Sequence, residues 1–111
     1  MTDFTCDKRD SDIVIIRWKG RLNMVSAPRL RNVVTDQVRQ GYVKVVVDMT
    51  EVDFIDSSGL GALIGCLKTA REHGGDLRIS GVGKQVATVL RISNIDRILS
   101  PRADAESAFD E

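Results

Sequence analysis

The stretch "DFIDSSGLGALIG", residues 53–65, ends an apolar run with an acid, places two serines side by side and opens a glycine-spaced apolar segment. This spacing predicts a helix from about Ser57 to Glu72, because apolar residues recur at i, i+3, i+4 and i+7 and glycines follow His73. Upstream, "YVKVVVDM", residues 42–49, is apolar on both faces at its centre, which is typical of a strand inside a parallel sheet. The serines therefore lie between the carboxyl end of a strand and the amino end of a helix. The apolar residues that should face the core of this helix are Leu60, Leu63, Ile64 and Leu67.

Helices and strands alternate along the rest of the chain. A first helix should begin at Ser26, whose side chain is expected to cap it with Pro28 in the first turn, and stop at Gly41. The other predicted strands are "DFTCDK" (3–8), "DIVIIRWKG" (12–20, ended by Gly20), "DLRISGV" (76–82) and "IDRILS" (95–100), and the other predicted helical segments are "KQVATVLRIS" (84–93) and "ADAESAFDE" (103–111). The order β-β-α-β-α-β-α-β-α predicts an α/β fold, with one domain over residues 1–111 and a small mixed sheet of four or five strands.

Composition limits the kinds of partner. With 16 basic and 16 acidic side chains the formal net charge is zero, which argues against a nucleic acid or an anionic membrane bound through bulk electrostatics. A protein or a small molecule is the more natural partner. The polar start "MTDFTCDKRDSD" is unlike a signal peptide, and no apolar run reaches the roughly 20 residues that span a bilayer. We therefore expect a cytoplasmic protein.

The sequence gives little support for catalysis or metal binding. Cys6 and Cys66 lack a CxxC spacing and are expected to be reduced, mostly buried thiols. His73 is the only histidine and stands where a helix should end, so neither a metal cluster nor a serine–histidine pair is indicated. A serine hydrolase would also need a G-x-S-x-G elbow, which the serine pair does not provide. We expect no catalytic residue, no metal and no cofactor.

The surroundings of the serines are acidic and glycine-rich. Gly61 and Gly65 fall off the core face of the predicted helix, where each costs roughly 1 kcal/mol relative to alanine. Either another protein's backbone comes close there, or a neighbouring element of this domain packs tightly. The nearby acids suit the positive end of the helix dipole, or they form a negative rim around an exposed hydroxyl. These acids are Asp48, Glu51, Asp53 and Asp56.

The segments "GRLNMVSAPRLR" (20–31), "VDFIDSSGLGALIG" (52–65) and "GGDLRISGV" (74–82) together resemble the STAS domain family, and more closely its bacterial anti-anti-sigma factors, the antagonists of anti-sigma factors. The resemblance implies a small sheet with helices packed mainly on one side. It also implies that Ser57, the first serine after the aspartate, is phosphorylated by an anti-sigma factor that is a serine kinase of the GHKL type, and that a PP2C-type phosphatase can reverse the modification. Ser58 should instead serve the helix start. The residues expected to bind the partner are Arg21, Asn23, Asp56, Ser58, Gly59, Gly61 and Gly65.

The chain departs from the family pattern at one place. Relatives commonly carry "GE-x-D" where this sequence has Gly20, Arg21, Leu22 and Asn23. Either the altered charge selects a different partner, or an exposed position has drifted neutrally. The alternative function is a structural STAS subunit of a larger assembly, such as a lipid-transport ABC complex or a stressosome-like scaffold.

Overall fold

A computed structural model describes residues 3–110 of the chain. The elements are β1 (Asp3–Arg9), β2 (Ile13–Leu22), α1 (Ala27–Arg39), β3 (Lys44–Ile55), α2 (Ser57–Glu72), β4 (Asp76–Ser80) and α3 (Lys84–Ile92), followed by a 3-10 turn at Ile95–Arg97. The predicted α/β order is confirmed through α3, and α2 begins and ends at the expected residues.

Among residues 3–110 the strands form one four-stranded sheet in the order β1-β2-β3-β4. β1 runs antiparallel to β2, whereas β2, β3 and β4 are parallel, so the prediction of a mixed sheet is confirmed. The β2-α1-β3 and β3-α2-β4 connections step in the same direction across the sheet. Because such crossovers are right-handed almost without exception, both helices lie on the same face.

The two faces of the sheet are covered unequally. Side chains alternate between the faces of a strand, and every second residue of β2 and β3 packs into one large core with the three helices. These strand residues are Val14, Ile16, Trp18, Val45, Val47 and Met49. The intervening Ile15 and Val46 point to the other face, where Ala105 and Ala108 cover them in a much smaller cluster. The helices therefore lie on one side, and a short C-terminal segment covers the other.

The predicted strand over residues 95–100 is wrong. Asn94 adopts a left-handed backbone conformation with φ of 61°, and the chain then turns through Ile95–Arg97. The backbone N–H groups of Ile98 and Leu99 donate to the Ile95 carbonyl at 2.9 and 2.8 Å. Backbone groups that a fifth strand would offer to the sheet are thus used locally, while Leu99 is buried in the core.

The predicted helix over residues 103–111 is also wrong within the described residues, where residues 106–109 form turns. Asp104 accepts a hydrogen bond from the Ser107 backbone N–H at 2.9 Å. The segment is anchored one residue earlier, because the Arg102 N–H donates to the Ile79 carbonyl at 2.8 Å. Glu111, the last residue of that prediction, lies outside the described residues.

β2 does not stop at Gly20 as expected. Gly20 adopts φ of +100°, which a glycine tolerates and other residues rarely do, and the register with β3 shifts there. Arg21 and Leu22 then pair with Phe54 and Ile55 of β3. This extension carries β2 up to the start of α2, which positions the candidate site.

The expectation for the cysteines is half wrong. Cys66 is buried on α2, but Cys6 is exposed on the edge strand β1.

His73 is the residue at the carboxyl end of α2, as expected, and its Nδ1 lies 2.8 Å from the Thr69 carbonyl oxygen. No group of three or more His, Cys, Asp or Glu side chains suited to a metal ion occurs within residues 3–110. In the same range, no helix is both long and apolar enough to cross a membrane.

Candidate functional site

Asp56, rather than either serine, caps α2. Its backbone is extended, and its Oδ1 accepts a hydrogen bond from the Gly59 N–H at 2.9 Å. Its Oδ2 accepts a second one from the Met24 N–H at 3.3 Å, which ties the start of α2 to the chain after β2. The expectation that Ser58 serves the helix start is therefore wrong, because Asp56 already fills that role.

Ser57 is the first residue of α2 and is exposed, while Ser58 beside it is partly buried. Within residues 3–110 neither hydroxyl forms a side-chain hydrogen bond. The Ser57 hydroxyl therefore does not support the fold through a hydrogen bond, and the residue is exposed to solvent. A modifying group can therefore reach it without disturbing the fold.

The segment between β2 and α1 lies beside the serines and is shaped by Asn23. The Oδ1 of Asn23 accepts hydrogen bonds from the backbone N–H groups of Val25 at 3.1 Å and Ser26 at 3.2 Å. The Ser26 hydroxyl does not cap α1 as expected, because it donates to the Arg21 carbonyl at 2.7 Å. Asn23 thus organises the turn into α1, a role that an aspartate could also fill since both residues carry an Oδ acceptor.

This turn leaves Met24 and Val25 72% and 83% exposed. Both are apolar, and Met24 lies beside the serines because its backbone N–H donates to Asp56. The resemblance to the family does not mark either residue as part of the site. The sequence feature that could have identified them is a pair of consecutive apolar residues within an otherwise polar connection, "NMVS". No apolar periodicity assigns either residue to the core.

A shallow groove of about 430 Å³ joins the serines to α1. The residues that line it are Met24, Ala27, Pro28, Arg31, Ser57, Ser58 and Gly61. Arg31 is the one charged residue in this lining. No pattern in the sequence indicates it, because only the packing of α1 against α2 places Arg31 in the same groove as Ser57.

The three glycines of α2 differ in what a side chain at each position would contact. A Cβ on Gly59 would collide with the Leu22 carbonyl oxygen, so the close approach of β2 requires glycine there. A Cβ on Gly61 or Gly65 would lie 3.6 or 3.4 Å from the Arg31 guanidinium. Packing within this domain therefore requires the glycine at position 59, whereas a Cβ at Gly61 or Gly65 would make only ordinary van der Waals contact with Arg31.

Arg21 lies on the exposed side of the end of β2, where it pairs with Phe54 of β3. Its guanidinium stacks over the Phe54 ring, 5.4 Å from the ring centre. Two of the four acids have partners within the domain. Asp48 faces Arg17, with Oδ2 and Nε 3.5 Å apart, while Asp56 is held by the backbone of α2 and of the turn before α1.

Known proteins resemble this chain in sequence or in fold. An anti-sigma-B factor antagonist of Listeria monocytogenes is 29% identical over 93 residues, covering 83% of this chain and 81% of that protein. The crystal structure of TM1081 from Thermotoga maritima matches with a TM-score of 0.87 at 28% identity, covering 96% of this chain and 92% of that one. The Bacillus cell fate determinant SpoIIAA in its phosphorylated form matches with a TM-score of 0.73 at 18% identity, covering 95% and 96%, a likeness of fold alone.

The family model described as the STAS domain matches residues 7–108, which is nearly the whole chain. That range contains all of β2 through α3, the exposed serine and the groove. It also contains the C-terminal segment that covers the second face of the sheet. This chain belongs to the STAS domain family.

Proposed function

We propose that this protein is an anti-sigma factor antagonist: its unmodified form binds an anti-sigma factor through the surface around Ser57, and phosphorylation of Ser57 ends the binding. The names of the relatives that cover most of the chain support the first part. The observation that carries the second is the exposed Ser57 hydroxyl, which is free of the capping role that Asp56 performs.

The binding surface combines apolar exposure with the serine. Met24 and Val25 offer apolar area that is unfavourable in water and that a partner would bury. Transfer of the γ-phosphoryl group of ATP to Ser57 Oγ, with loss of the hydroxyl proton, adds a charge of about −1.5 to −2 beside this area. Each 1.4 kcal/mol of resulting repulsion and desolvation lowers the affinity about tenfold. The switch requires no catalysis by this chain.

The kinase and the phosphatase belong to the same proposal. The partner that binds the unmodified surface is an anti-sigma factor of the GHKL kinase type, and a PP2C-type phosphatase restores Ser57. The resemblance of "DSSGLG", residues 56–61, to the family signature supports both assignments.

Partner choice depends on Arg21 more than on Asn23. Asn23 accepts backbone hydrogen bonds within the turn, which aspartate would accept too, whereas Arg21 presents a positive charge where relatives carry an acid. We propose that the cognate partner offers acidic or neutral groups opposite Arg21, because charge complementarity selects between related partners. The Arg21→Glu, Asn23→Asp double variant should bind the cognate partner more weakly and a kinase of a "GE-x-D" relative more tightly. Unchanged affinities for both would remove this part of the proposal.

Affinity purification with the unmodified protein, followed by calorimetry with the recovered anti-sigma factor, tests the main proposal. Ser57→Ala should bind like the wild type, and Ser57→Asp should bind at least tenfold more weakly while remaining folded. Ser11→Asp, an equal charge change at an exposed serine just before β2, serves as the control and should bind normally. Recovery of a transporter ATPase instead of a kinase would favour the structural STAS subunit. Equal binding by Ser57→Asp and wild type would contradict the switch.

A further inference from the structure

Ser57, Gly61 and Gly65 occupy one face of α2. They stand at i, i+4 and i+8, so one turn of helix separates each from the next. Because the two glycines lack side chains, this face is a smooth strip that begins at the serine. We call Gly61 and Gly65 together the glycine strip.

Arg31 of α1 lies over this strip. Its guanidinium nitrogens come within 3.6 Å of where a Cβ on Gly61 would stand and 3.4 Å of where one on Gly65 would stand. An alanine at either position would make ordinary van der Waals contact with the guanidinium, and only a longer side chain would compete with it for this space. The guanidinium thus lies along the same face of α2 that carries Ser57, with no side chain of Gly61 or Gly65 between them.

Arg31 is available for a negative ligand. Its side chain is exposed, and within residues 3–110 it forms no ion pair. It also lines the groove that contains Ser57, in which it is the one charged residue. Guanidinium groups bind phosphate through two parallel hydrogen bonds, which makes arginine well suited to that ligand.

We propose that Arg31 is the intramolecular receptor for the phosphate on Ser57: the guanidinium shifts along the glycine strip towards the start of α2 and pairs with the phosphate inside the groove. This inference rests on the proposed phosphorylation of Ser57. It adds a second element to the switch, because the paired groups fill the groove next to Met24 and cover part of the surface that the partner would contact.

The Asp56 carboxylate determines towards which side of Ser57 the phosphate would point. Its two carboxylate oxygens are fixed by the N–H groups of Gly59 and Met24, so its negative charge stays beside Ser57 and repels a phosphate there. Arg31 lies on the glycine side of Ser57. The phosphate is therefore drawn along the strip and away from the capping carboxylate.

The test uses full-length protein with phosphoserine incorporated at position 57 during translation, so that no kinase is needed. A 31P NMR titration measures the second pKa of the phosphate, which is ordinarily about 6. Pairing with Arg31 should hold this pKa down, because a neighbouring cation favours the dianion. Arg31→Gln should raise it by about 0.5 unit, the size that an exposed ion pair permits. Arg31→Lys should restore part of the difference.

Lys68→Gln is the matched control. Lys68 is an exposed cation on α2, 11 residues after Ser57 and so about 16 Å along the axis, where salt screens its charge. Its replacement should leave the phosphate pKa within about 0.1 unit of the parent value, since screening removes most of the effect. Equal shifts in Arg31→Gln and Lys68→Gln, or no shift in either, would overturn the proposal. The result is independent of the partner assay, so a protein that fails to bind any anti-sigma factor would refute the proposed function without deciding the role of Arg31.

Discussion

At the scale of single residues, two polar side chains near the serines stabilise the local backbone. Asp56 and Asn23 each accept two backbone hydrogen bonds, and together they fix the start of α2 and the turn into α1. Their chemistry suits helix starts, where the first N–H groups lack partners within the helix. Because Asp56 and Asn23 organise the backbone here, the Ser57 side chain is not needed to cap α2.

The glycines of α2 give a test of this packing at single-residue resolution. Gly59→Ala should lower the free energy of unfolding by roughly 1–3 kcal/mol, since its Cβ would strike the Leu22 carbonyl and the backbone cannot rotate away as a side chain would. Gly61→Ala, with only the Arg31 guanidinium 3.6 Å away, should raise stability by up to about 1 kcal/mol through helix propensity. Urea unfolding of the two variants measures both. Equal effects of one sign would contradict the close approach of β2 to Gly59.

At the scale of elements, α2 divides its surface between core and site. Leu63 and Ala62 are fully buried, Ile64 is half-buried, and Ser57 and Gly61 face the groove. The helix can serve both purposes because 3.6 residues per turn separate an apolar stripe from the opposite face. Its position is set by two same-direction crossovers, which place α1 beside it and so bring Arg31 to the glycine strip.

Leu63→Ala should destabilise the protein by roughly 2–5 kcal/mol, because it removes a fully buried side chain and leaves a cavity in the main core. Ile92→Ala on α3 is the control, a similar truncation at a side chain that is 75% exposed, and should change stability by no more than about 0.5 kcal/mol. Thermal and urea unfolding followed by circular dichroism would measure the two changes. A loss below about 1 kcal/mol at Leu63 would mean that the core face of α2 is wrongly assigned.

At the scale of the whole molecule, a mixed four-stranded sheet has one face under three helices and the other under a C-terminal segment. The C-terminal segment forms only a small apolar cluster with its face of the sheet. It buries Ile15 and Val46 beneath two alanines, and Arg17 reaches the Glu106 carboxylate at 2.7 Å across an exposed surface. Such exposed ion pairs add only about 0–1 kcal/mol each, so the main core carries most of the stability.

The two thiols report how completely that core excludes water. Burial raises the pKa of Cys66 from 9.0 to about 12, and partial desolvation raises that of the exposed Cys6 less. Native protein at pH 8 should therefore give one reactive thiol with Ellman's reagent, and unfolded protein two. Because the folded pKa of Cys66 is raised, its contribution to stability is present below pH 9.0 and is lost as the pH rises towards about 12. Two thiols reacting equally fast in the native state would contradict a closed core.

The sequence by itself determined the strands through β4, the helices through α3 and the exposed serine, because apolar periodicity and glycine stops are local signals. The family resemblance also predicted that Arg21 and Asn23 lie close to the loop that carries Ser57. Sequence-based prediction failed after Asn94, where a short apolar run, "ILS", contributes Leu99 to the core from a turn instead of a strand. Short apolar runs do not distinguish a strand from a buried turn, because both hide the same side chains.

Only the tertiary structure decided which groups share the site. Asp56, and not a serine, caps α2 by accepting the Gly59 N–H. The Ser26 hydroxyl donates to the Arg21 carbonyl at the end of β2 instead of capping α1. In both cases tertiary packing brings the two partners together. The requirement for glycine at position 59 likewise comes from the Leu22 carbonyl. The neighbour of Gly61 and Gly65 is Arg31, which stands 26 positions before Ser57 in the sequence. Periodicity specifies the face of a helix, but the neighbour that meets that face depends on how the chain crosses the sheet.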